Sequence, residues 1–191
     1  GLITPVTNIH RIRATILFLS PMVHPAILVR LSTLREHGLR YRRVTPVEDF
    51  DMWTRLLQVG ELGIIAEPLL RYRVHPASIT ARTGEYRQGL LRAVLAQAVL
   101  LALKPWKLEG VLSDPVLEIH ARFAGHERMT VVQYMLLPFW LLFLIAVVLP
   151  FNWTIVDVVA ARCAAYVRAA WRGKLLANPA TVVTRMEQLP Q

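Results

Sequence analysis

From Thr130 to Val156 the chain carries no charged side chain, and this stretch restricts its possible folds more than any other feature. Within it, Val131 to Phe151 is apolar apart from Gln133, Tyr134 and two prolines. A helix that crosses a bilayer needs about 20 mostly apolar residues, which this run supplies. A small soluble core has too little surface to cover so long an apolar run on every side. The segment therefore predicts a membrane-associated protein, with Tyr134, Trp140 and Trp153 suited to the lipid–water boundary.

The rest of the composition narrows the partners. A formal net charge of +9 points to anionic ones such as lipid head groups or nucleotide phosphates. The aromatic residues do not alternate with the basic ones, so nucleic acid is not expected. The single cysteine, Cys163, allows no internal disulfide and fits a reducing compartment. The chain starts at Gly1 without a signal-peptide pattern, which is expected of a segment of a longer gene product or of a truncated one.

Four regions are expected. Residues 1–84 read as a mixed α/β piece. Strands are predicted at Ala26–Val29, Gly63–Ala66 and Leu69–Val74, and helices at Ser32–His37 and Glu48–Val59, closed by Gly38 and Gly60. Residues 85–128 read as a helical extension with helices over 85–104 and 114–128. Residues 129–174 are the membrane-associated helical region, ending in an amphipathic helix over Val156 to Lys174 that carries Arg162, Arg168, Arg172 and Lys174. Residues 175–191 are a tail.

The richest chemistry lies in Glu48-Asp49-Phe50-Asp51-Met52-Trp53. On a helix, Phe50, Trp53, Leu56 and Leu57 share one face; Asp49 projects from it and Asp51 turns away. The helix dipole complements a carboxylate at this end. A carboxylate at the edge of a cleft is also suited to accept a proton from a bound hydroxyl. The same acids could equally do no more than cap the helix.

The segments around this motif resemble family 2 glycosyltransferases of the GT-A fold. Pro21 to Arg30 is similar to the stretch leading into the acceptor-side strand, and Leu34 to Tyr41 to the helix and glycine turn that follow. Glu48 to Trp53 resembles the ED-aromatic-D-aliphatic-W signature, and Leu70 to Ile79 the closing Y-R-x-H-x-x-S element. The resemblance covers about residues 15–85. It implies a partial GT-A, Rossmann-like α/β domain and an inverting transfer of sugar from a nucleotide-sugar donor to a glycan or lipid-linked acceptor.

In that reading Asp49 is the general base and Glu48 its supporting carboxylate. His75 is a metal ligand for a divalent cation, Mg or Mn. Trp53 and Arg73 are candidate substrate contacts; Trp53 also fits a core position, and Arg73 a solvated strand face. His24 and His37 read as structural or solvated. The nucleotide-binding half, with its D-x-D metal motif, is absent: Asp49-Phe50-Asp51 spells D-x-D but stands in the place of the ED motif. Roughly 100 residues of donor site are expected ahead of Gly1.

The catalytic part is expected on the cytoplasmic side, where nucleotide sugars occur. Basic residues flank the apolar run at both ends, which favours a kinked hairpin or an in-plane segment over a single crossing. The alternative function is a non-enzymatic, basic, membrane-associated module built on a degenerate glycosyltransferase fold.

Overall fold

The computed structural model describes residues 6–44, 46–73, 75, 84–104, 112–150 and 152–175, with the backbone alone for 84–89. The described elements are helical: α1 (Ile9–Thr15), a 3-10 turn (His24–Ala26), α2 (Leu31–Glu36), α3 (Glu48–Leu56), α4 (Gly84–Leu103), α5 (Asp114–Ala124), α6 (Val131–Val148) and α7 (Ile155–Trp171).

Local chemistry sets the helix ends. The Asn8 side chain accepts the Arg11 N–H at 3.0 Å and starts α1. Gly38, at φ +60°, closes α2, with the Leu39 N–H returning to the Leu34 carbonyl at 2.8 Å. At the end of α5 the left-handed position falls on His126, φ 56°, and the Glu127 N–H reaches the Arg122 carbonyl. Thr130 and Gln133 form a reciprocal capping box that opens α6, which continues through Pro138.

The α/β expectation is overturned: among the described residues there is no strand and no sheet. The run Ala26–Val29 is a 3-10 turn and extended chain, with Leu28 wholly exposed. Residues 63–66 and 69–73 are irregular, and Ile65, Leu69 and Leu70 face solvent. The expected strand end, Val74, lies outside the described residues, as do residues 76–79 of the closing motif. The physical reason is the lack of a ladder. An apolar run becomes a strand only when a neighbouring strand takes its N–H and C=O groups, and these three segments do not pair with one another. The fold class is therefore helical, and no Rossmann-like sheet is present in the described part.

The helical readings agree to within a few residues. The expected 85–104, 114–128 and 156–174 segments appear as α4, α5 and α7. Buried residues from Ile12 to Tyr166 make a single apolar core. In it α4 packs on α3 and α5, α6 on α5 and α7, and α7 on α1.

Polar ties run through this core. The Trp140 indole N–H donates to His120 Nδ1 at 3.2 Å, and His120 Nε2–H donates to the Leu17 carbonyl at 2.6 Å. Arg92 meets Glu127 through Nε at 2.9 Å and through a second guanidinium nitrogen. The Tyr166 hydroxyl donates to the Glu127 carbonyl at 2.7 Å and sits 2.9 Å from the Tyr134 hydroxyl.

Candidate functional site

The α3 helix begins where the Val47 N–H turns back onto the Val44 carbonyl at 2.9 Å. No side chain caps this start from Val47, so the first-turn acids themselves meet the free N–H groups. The Asp49 Oδ1 accepts the Phe50 N–H at 2.7 Å. Phe50, Met52, Trp53 and Leu56 are buried; they hold α3 against the core and fix the direction in which its first turn points.

That first turn opens into a cleft of about 1020 Å³. Glu48 and Asp49 form one wall, Phe18 to Ser20 and His24 another, and His75 and Gly125 also line it. Both acids are half-buried. Glu48 Oε2 is buried with no hydrogen-bond partner, and no cation forms an ion pair with either acid among the described residues. The site is thus two adjacent acids on the lining of one cleft, without an ion pair among the described residues.

Two neighbours complete it. The Tyr41 hydroxyl lies 3.2 Å from His24 Nε2, and the two rings stack at 5.5 Å between centroids. Burial, followed by the nearby charges of Asp49 and Glu48, pushes the Tyr41 hydroxyl above its usual pKa, so it stays protonated as a donor toward the cleft wall. His24 in turn stands edge-on to Trp53 at 6.1 Å.

Asp51 is wholly buried on the opposite side of α3. Its Oδ2 accepts from Arg55 Nε at 3.1 Å and from a second Arg55 nitrogen at 2.6 Å. Gln97 of α4 donates to its Oδ1 at 3.0 Å, and Arg42 approaches within 3.5 Å. Asp51 therefore locks α3 to α4, while Asp49 is left to the cleft.

The remaining predicted residues separate. Glu48, Asp49 and His75 share the cleft. Trp53 has no exposed surface and its indole N–H is unpaired; it supports His24 from behind. Arg73 is exposed and does not line the cleft. Sequence reasoning missed Tyr41 and undervalued His24; the one available signal was the His24-Pro25 pair, which forces a turn where the cleft wall bends. Among the described residues no three His, Cys, Asp or Glu side chains form a group that could hold a metal ion, and no step is assigned to a metal.

Comparison of the chain with protein-family models, with curated proteins and with solved structures finds no match.

Proposed function

We propose that the chain forms the acceptor side of a membrane-associated sugar-transfer enzyme, in the manner of the family 2 glycosyltransferases that its motifs resemble. The observation that carries this reading is that Glu48 and Asp49 share the wall of a cleft of about 1020 Å³ and form no ion pair with a cation among the described residues. An acceptor hydroxyl seated against Asp49 gives up its proton to the carboxylate as its oxygen attacks the anomeric carbon of the donor sugar. The bond from that carbon to the nucleoside diphosphate breaks, and configuration inverts. Glu48 lines the same cleft beside Asp49, and the His24 ring, backed by Tyr41, offers a flat surface for a sugar ring to lie on.

The apolar helix α6 (Val131–Val148), with a mean hydropathy of 2.3, is long and apolar enough to cross a membrane. It supports a site held near lipid, where a lipid-linked acceptor would reach the cleft.

The test is an assay of the gene product that carries this chain, supplied with a panel of nucleotide sugars and membrane-lipid extract. Label should pass to a lipid or glycan, and Asp49→Asn should reduce turnover by about 10²–10⁴ with the circular dichroism spectrum unchanged. Retention of more than about a tenth of turnover rejects Asp49 as the base. Membrane binding without any transfer favours the second reading, a basic membrane-associated module without catalysis.

A further inference from the structure

α6 is apolar on two opposite faces, and only one of them is covered. Trp140, Leu141, Leu144 and Val148 are buried against α5 and α7. Val132, Met135, Phe139, Leu142 and Ala146 recur at three- and four-residue intervals along the other side and are exposed, Phe139 at 73%, and Leu149 just past the helix end continues the row. A soluble helix would carry charged residues on that side; this one carries none.

The covered face is tied along its whole length to a body that holds charge. Tyr134 meets Tyr166 near the start of α6, and Trp140 meets His120 in its middle. Just beyond its end the Asn152 side-chain amide donates to the His10 carbonyl at 2.6 Å. α5, on which α6 packs, carries the Arg122–Glu118 pair, and Arg162 of α7 donates to the Ala124 carbonyl at the end of α5. A bilayer-crossing α6 would pull these groups into hydrocarbon, where charged side chains are strongly disfavoured.

We infer that α6 lies in the plane of an anionic bilayer surface, its outer face sunk among the acyl chains and its inner face still packed on α5 and α7. The charge pattern selects this occupant. Arg128 stands just before α6, and Arg168, Arg172 and Lys174 stand at the end of α7, all exposed. Trp153 and Trp171, exposed at 67% and 91%, are the side chains that settle at the lipid–water boundary. The inference rests on the membrane association proposed above, and the arms of the test separate failure of that association from failure of the orientation. The carboxylate site stands or falls independently.

The 191-residue chain, in a Cys163→Ser background, is given one cysteine at a time through Arg128→Cys, Trp153→Cys, Arg172→Cys or Phe139→Cys. It is mixed with sealed vesicles of phosphatidylglycerol and phosphatidylcholine. A membrane-impermeant maleimide should label positions 128, 153 and 172 from outside, and a polarity-sensitive dye at position 139 should report an apolar surrounding. Phe139→Ser combined with Leu142→Ser, both at exposed positions, should weaken vesicle binding by about tenfold or more. Vesicles of phosphatidylcholine alone should bind the chain about tenfold or more weakly than the mixed ones.

Protection of position 172 until the vesicles are lysed would establish a single crossing and overturn the inference. Protection of position 153 alone would establish a transmembrane hairpin and overturn it as well. Equal binding to both lipid mixtures removes the anionic surface as the partner, and no binding to either removes the membrane association itself.

Discussion

Asp51 and Arg55, one helical turn apart, are joined by two hydrogen bonds from the guanidinium to a single carboxylate oxygen. The joined carboxylate is the one without access to the cleft. Asp49, two residues earlier, faces the cavity and makes no ion pair among the described residues. Neighbouring acids of one motif thus divide between holding the helix and lining the cleft.

This division predicts opposite phenotypes. Asp51→Asn weakens the attraction to Arg55 and Arg42 in a buried setting and should cost about 3 kcal/mol of stability by urea unfolding. Asp49→Asn keeps the oxygen that meets the Phe50 N–H and should change stability by less than about 0.5 kcal/mol. Reversal of that order would place Asp49, not Asp51, in the structural role.

His120 predicts acid sensitivity. Its complete burial pushes its pKa down to about 4, against about 6.5 in an unfolded chain. Above about pH 6.5 the ring is neutral in both states and stability is full. As the pH falls from there, the unfolded chain takes up a proton that the folded one refuses. The unfolding free energy should then drop by up to about 3 kcal/mol before levelling off below about pH 4. Unfolding titrations of the protein and of His120→Gln across this range should differ in slope; parallel curves would remove His120 as the cause.

Glu127 is the third case. Its carboxylate is buried against Arg92, with Arg122 at 3.9 Å. Glu127→Met should cost about 3–5 kcal/mol, because Arg92 keeps its charge and loses the carboxylate it faces. The double variant Arg92→Met with Glu127→Met should recover part of that loss, measured as a higher midpoint in denaturant. A double variant no more stable than the single would mean that the pair is not the source of the cost.

Fractionation provides the fourth. The chain should sediment with membranes and require detergent for release, since α6 rather than its flanking cations holds it. Release by salt alone would assign the attachment to Arg128, Arg168, Arg172 and Lys174.

The helices were legible because periodicity and end signals agreed. Gly38 marked a boundary that local hydrogen bonds alone determine; the Thr130–Gln133 capping box that opens α6 was not read. α1 was not read, since its seven residues hold too little periodic pattern to stand out. The strands at 26–29, 63–66 and 69–74 were misread because Ile, Leu and Val runs indicate a wish to be covered, while a strand also requires a partner outside the run. At the site, helical geometry separated Asp49 from Asp51, but the expectation that Asp51 turns away from the packed face is corrected: Asp51 is the wholly buried acid and Asp49 the half-buried one. The Asp51 contacts to Arg42 and Gln97 were not legible, being set by residues that the fold alone brings together. Tyr41 was invisible for the same reason: its stacking on His24 spans 17 positions of chain.

Pro138 is exposed on α6, to one side of the row of Met135, Phe139 and Leu142 and so at the margin of the sunken face, and it has no N–H to offer the carbonyl of Tyr134 one turn before it. Deep in hydrocarbon that oxygen would find no donor. At the lipid–water boundary it can be hydrated, and the helix gains a fixed wet point on an otherwise dry flank. Isotope-edited infrared spectroscopy of a labelled Tyr134 carbonyl on vesicles should therefore show the red-shifted, broadened amide I band of a water-bonded group, and a band at the dry-helix frequency would place this turn deeper than the surface.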